Sequence, residues 1–151
     1  MSHVHRLLST DRIFFVTVHL QRALVPLAEV EFRLVTEALE ASRRKLGFLL
    51  CGYVVMPNHW HALIWTAFPL TISRAVQDIK WISANSLNRS RGAHGTVWQH
   101  QFWDRFVRNP MEFGRRLDDM HLNPVRKGLA SRPVVVQFEL VAASLPRHMA
   151  G

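Results

Sequence analysis

Phe48-Leu49-Leu50-Cys51-Gly52-Tyr53-Val54-Val55-Met56-Pro57-Asn58-His59-Trp60-His61-Ala62-Leu63-Ile64-Trp65-Thr66 is the stretch on which the fold turns. Phe48 to Met56 is a continuous apolar run that reads as a buried strand. Pro57-Asn58 interrupts it, and His59 to Thr66 reads as a second strand. The two either pair as neighbours or form one kinked unit. Residues two apart on a strand share a face, so His59 and His61 project side by side while Trp60 turns into the core.

Working outward, Ile13 to His19 is rich in β-branched and aromatic residues and predicts a first strand. From Val30 to Leu46, apolar residues recur at helical spacing, and Gly47 supplies a stop. Downstream, Thr71 to Leu87 predicts a second helix and Asn88 to Gly95 a loop. Gln101 to Val107 predicts a strand. Asn109-Pro110 opens a third helix, which Asn123-Pro124 ends or kinks. The order β-α-β-β-α-β-α, without repeats, predicts one α+β domain with an antiparallel sheet. The segment after Arg132 is assigned no element.

The chain has 151 residues, 48% hydrophobic and 20% charged, in the range of a single globular domain. No stretch approaches the roughly 20 apolar residues that span a bilayer, so a cytoplasmic protein without membrane contact is expected. The single cysteine, Cys51, sits in the apolar run and reads as a buried, inert thiol. The net charge is +8, which favours a polyanionic partner bound through phosphate contacts. Between Arg105 and Arg132 stand seven Lys/Arg against three acidic residues, and Trp98, Phe102, Trp103 and Phe106 lie in the same half. That mixture suits single-stranded nucleic acid, where aromatic faces take unstacked bases and arginines follow the phosphates. A half-buried strand with solvated charges is the plainer account of any one of these aromatics.

Two neighbouring imidazoles can hold one divalent metal. A bare His-x-His is a weak signal, because nine histidines in 151 residues produce that spacing by chance. Its surroundings are more specific. Tyr53-Val54-Val55-Met56-Pro57-Asn58-His59-Trp60-His61 resembles the HUH segment of the single-tyrosine (IS200-like) transposases, especially the REP-associated kind. Trp98-Gln99-His100-Gln101-Phe102-Trp103-Asp104-Arg105 resembles the region that follows in that family, as does His121-Leu122-Asn123-Pro124-Val125-Arg126-Lys127-Gly128-Leu129. With Phe15-Val16-Thr17, the resemblance runs over residues 11–133, leaving 134–151 as a C-terminal tail of one domain.

The resemblance implies a ferredoxin-like (RRM-like) antiparallel sheet with helices packed on it. It also implies Mg²⁺ or Mn²⁺ held by His59, His61 and Asn123. In that family a helix-borne tyrosine attacks the DNA backbone, leaving a 5′-phosphotyrosine link and a free 3′-OH. The implied partner is DNA, as single strand or hairpin repeat ends, contacted through Trp98, Arg105, Arg108, Arg115, Arg116, Arg126 and Lys127. Monomer and homodimer are both open. Imidazole chemistry alone would also accept zinc, so the choice of Mg²⁺ or Mn²⁺ comes from the resemblance.

One position departs from the pattern. The family's nucleophile sits four residues before the asparagine of Asn-Pro, and here that position is Asp119. Tyr53, the only tyrosine, precedes the histidine pair on a predicted strand. Asp119 has three readings: a partner of Arg115 or Arg116, a further hard metal ligand, or a replacement that abolishes attack. Asn123 also reads as the N-cap of a short helix begun by Pro124. The functions expected are therefore a DNA-binding transposase-like protein impaired in strand transfer, a domesticated non-catalytic DNA-binding regulator, or a metal-dependent nuclease using water.

Overall fold

The computed structural model of the chain describes residues 12–126. The elements follow the predicted order: β1 (Arg12–His19), α1 (Glu29–Leu46), β2 (Leu49–Met56), β3 (His59–Thr66), α2 (Ile72–Arg91), β4 (Trp103–Phe106) and α3 (Pro110–Arg126). The strands form one antiparallel sheet in the order β2-β3-β1-β4. Of the two arrangements open for the apolar stretch, the structure takes the paired one: Pro57-Asn58 is the turn between β2 and β3, and Met56 faces His59 across it.

The α+β fold class thus holds, with an antiparallel sheet and helices packed against it. The sheet separates two apolar clusters. One face carries Val16, Val18, Trp60, Ala62 and Ile64 against α1 and α2, through residues such as Val35, Leu39, Val76 and Ile79. The other carries Ile13, Val54, Met56 and Leu63 against Phe113 and Met120 of α3. Strand alternation produces this division: even-numbered residues of β1 and β3 face α1 and α2, and odd-numbered ones face α3. Trp60, fully buried, meets Trp98 edge-on at 6.5 Å between ring centroids.

Local signals set the ends of the helices. Gly47 adopts a left-handed conformation (φ 81°) and closes α1 with an N–H bond to the Arg43 carbonyl. Thr71 caps α2 by accepting from the Arg74 N–H. The α2 helix runs past the expected Leu87 to Arg91, because the left-handed stop is Gly92 (φ 63°) and the polar residues 88–91 continue the helix on its exposed side. The fourth strand is shorter than predicted, with only Trp103–Phe106 paired to β1. Asn109 caps α3, its side-chain oxygen accepting from the Glu112 N–H at 2.8 Å.

The Asn-Pro pair does not end α3. The helix continues through Asn123 and Pro124 to Arg126, so Asn123 is a helical residue and not the N-cap of a new helix. Pro124 forfeits one N–H bond close to the C-terminus, a loss that leaves the final turn helical.

Two partly buried ion pairs join α1 to α2. Arg91 grips Glu31 through two bonds, at 2.6 and 2.8 Å, while Glu31 also accepts the Ala28 N–H. The Arg91 bond comes first among the influences that hold the Glu31 carboxyl below its ordinary range. Asp78 accepts from Ser42 and Lys45. Burial pushes its carboxyl up, but those two bonds together with the Lys45 and Arg74 charges outweigh it and the net shift is downward. Cys51 is buried and its thiol is pushed up to about 12 by desolvation, as expected of an inert core cysteine.

Candidate metal and nucleic-acid site

The α3 face of the sheet has an apolar end under the helix and a polar end beside it. The pairing of β1 with β3 sets His19 opposite His59 and Thr17 opposite His61. The His59 and His61 rings lie 4.7 Å apart between centroids, at 72° to one another. His19 adds a third imidazole, 5.4 Å from His59. Phe15 stacks on His61 at 5.1 Å, and the Arg116 guanidinium lies over the same phenyl ring, 4.9 Å from its centroid.

Each histidine of the pair is held by its Nδ1. Asn58 Oδ1 lies 2.7 Å from Nδ1 of His59, and Thr17 Oγ1 lies 2.8 Å from Nδ1 of His61. The Asn58 oxygen only accepts, so His59 donates its Nδ1–H and carries its lone pair on Nε2. The Thr17 hydroxyl can accept or donate, and when it accepts, the His61 lone pair also lies on Nε2. This is the outer-shell arrangement that orients metal-ligating histidines. The donor chemistry fits a divalent cation, with the two Nε2 atoms as ligands. Among the described residues, no three His, Cys, Asp or Glu side chains form a group arranged to hold a metal, so His19 does not complete such a set.

The α3 helix passes beside this pair. Met120 shares an apolar cluster with Met56 and Leu63, which adjoin His59 and His61 in the sheet. Its neighbour Asp119 is exposed. Asn123 and Arg126 lie on the last turn of α3, where side chains are outside those described, and Lys127 and the tail lie outside the described residues. Tyr53 packs with the cluster on the opposite face of the sheet, opposite Ala62. Burial there, and secondarily the Glu40 charge, raise its phenol above the ordinary range. The only tyrosine is therefore separated from the histidines by the thickness of the sheet.

The expected nucleic-acid contacts divide. Arg105, Arg108 and Arg115 are exposed, and Arg116 is half-buried against Phe15. Arg105 stands opposite Phe15 and Trp103 opposite Thr17, so both belong to the histidine-bearing face. Trp98, in contrast, is 2% exposed and its indole N–H donates to Ser83 at 2.8 Å. It presents no ring to solvent; the exposed indole of this region is Trp103, at 73%. Sequence reasoning missed His19, Thr17 and Asn58 as members of the site. Register alone brings the first two to the pair, and Asn58 was the residue next to His59 in the turn.

A family model described as "Transposase IS200 like" matches residues 8–107. The chain belongs to the IS200-like transposase family. A REP-associated tyrosine transposase of Escherichia coli (strain K12) is 25% identical over 130 residues, covering 85% of this chain and 75% of the relative. A solved structure of a REP-associated tyrosine transposase bound to a REP hairpin superposes with a TM-score of 0.71 at 23% identity, over 94% of this chain and 87% of the other. A transposase structure from Deinococcus radiodurans R1 gives a TM-score of 0.55 at 17% identity, over 79% and 91%. These two likenesses carry the IS200-like fold. Among the described residues, no helix is long and apolar enough to cross a membrane.

Proposed function

We propose that this IS200-like chain binds single-stranded or hairpin DNA on the histidine-bearing face of its sheet and is impaired in strand joining. The observation that carries the reading is the pair His59 and His61, each fixed through Nδ1 on a face that also bears Arg105 and Trp103. His59 and His61, with Asn123 on α3, would hold Mg²⁺ or Mn²⁺. A cation held there supplies Lewis-acid polarisation of a phosphate oxygen and an anchor for the backbone.

The chain's own residues account for the remaining steps. Arg105 and Arg116 supply positive charge on the face of the pair, and Arg108, Arg115, Arg126 and Lys127 extend it along the sequence. Thr17 and Asn58 hold the two rings in orientation through their Nδ1 atoms. Asp119 occupies the position at which the family resemblance puts tyrosine. A tyrosine would retain the phosphate in a stable phosphodiester and release a 3′-OH. An aspartate attacking the same phosphorus would leave a mixed anhydride that water cleaves, so the strand would not stay available for rejoining.

The relative whose structure contains a REP hairpin supports choosing a hairpin as the DNA probe. The test incubates a labelled hairpin with a single-stranded extension and Mn²⁺, followed by a denaturing gel. The native chain should bind the hairpin in a native gel and give no covalent adduct, whereas Asp119→Tyr should give one. An adduct with the native chain that is lost in Tyr53→Phe would overturn the reading. Cut strands without an adduct would assign the site to water-dependent hydrolysis.

A further inference from the structure

Trp103 is one of the most exposed large apolar side chains described, and its place in the sheet is specific. It faces Thr17, which faces His61, so the three lie in one row across β4, β1 and β3. With neighbouring strands about 4.8 Å apart, Trp103 stands roughly 10 Å from His61 along that row. Beside the Trp103 end of that row opens a groove of about 530 Å³, within the range of small-ligand clefts. Trp103, His19 and Asn58 line it, together with Gln21, Arg22 and Gln99. Asn58 is the residue that orients His59.

The groove is held in shape from below. The Gln21 amide donates to the Trp98 carbonyl and the Gln99 amide to the Leu20 carbonyl, at 3.2 and 3.0 Å. Lys80 donates to the carbonyls of Gln99 and His100, fixing the segment that leads into Trp103. We infer that this groove receives one unpaired base of the bound strand, stacked on the Trp103 indole, with Arg22 near its phosphate. An aromatic face beside amides and a cation, adjoining the Asn58 that holds His59, matches the base and phosphate of a nucleotide. The chain's net charge of +8 favours that occupant over an acidic-poor protein surface.

The inference rests on the proposed DNA-binding reading and deepens it. Binding of a hairpin with a single-stranded extension is measured by fluorescence anisotropy in EDTA, for the native chain, Trp103→Ala and Trp103→Phe. A single abasic site is walked along the extension. A stacked base contributes about 1–3 kcal/mol, so Trp103→Ala should weaken binding about 5- to 150-fold and Trp103→Phe far less. One abasic position should cost the native chain a similar factor and the alanine variant nothing further. If the native chain binds but Trp103→Ala binds equally well, or no abasic position couples to Trp103, the base slot is wrong and the DNA-binding reading stands. If the native chain binds no DNA, both fall.

Discussion

Thr17 holds His61 as Asn58 holds His59, through an oxygen at Nδ1, and a hydroxyl that accepts from that nitrogen leaves the lone pair on Nε2. Under the proposed metal role this makes Thr17 a positioning residue with a measurable contribution. Thr17→Val preserves shape on β1 and removes the oxygen, so Mn²⁺ affinity measured by calorimetry should fall about 10- to 100-fold. The melting temperature of the metal-free protein should change little. An unchanged affinity would show that the hydroxyl does not orient the ring. The pair itself was legible in the sequence because strand alternation puts His59 and His61 on one face whatever the fold around them. His19 and Thr17 were not, because they reach the pair only through a β1–β3 register that no local pattern encodes. The tryptophans make the same point: Trp98 and Trp103 look alike as residues in a basic, aromatic segment. A buried hydroxyl at Ser83 draws one inward, while a place on the edge strand β4 leaves the other in solvent.

At the level of elements, the order of strands and helices was readable because each had its own period and its own stop. The boundaries that moved were those where two stops competed, as at Gly92 beyond Asn88, or where a proline entered a helix near its end, as in α3. The union of α1 with α2 was not readable, since Glu31 and Arg91 are 60 residues apart in sequence. Arg91→Ala should destabilise the fold by about 1–3 kcal/mol near neutral pH, in urea denaturation. The sign of the pH dependence follows from the depressed Glu31 carboxyl. Such a group stabilises above its ordinary value of 4.5, and the contribution is lost as pH falls through the lower folded-state value. The gap between native and Arg91→Ala chains should therefore be full at about pH 7 and narrow below about pH 4. A gap that stays constant over that range would mean that the pair contributes by packing alone.

Over the whole molecule, the charge of +8 is the feature a long polyanion would sense first. Binding to single-stranded DNA should weaken linearly in log–log form with added salt. The slope should change by roughly 0.7 for each phosphate contact removed. Arg105→Gln and Arg115→Gln, both at exposed positions, should each flatten the slope by about that amount, whereas a salt-independent affinity would refute electrostatic capture. The sheet's two faces divide the labour of the molecule. On β1 and β3, Val16, Val18, Trp60, Ala62 and Ile64 hold the fold, while Thr17, His19, His59 and His61 alternate with them on the other side. Heritable change at the second set leaves the first set's packing in place. A lineage carrying this scaffold could thus give up or reacquire chemistry by altering those four positions, with little risk of losing the protein itself.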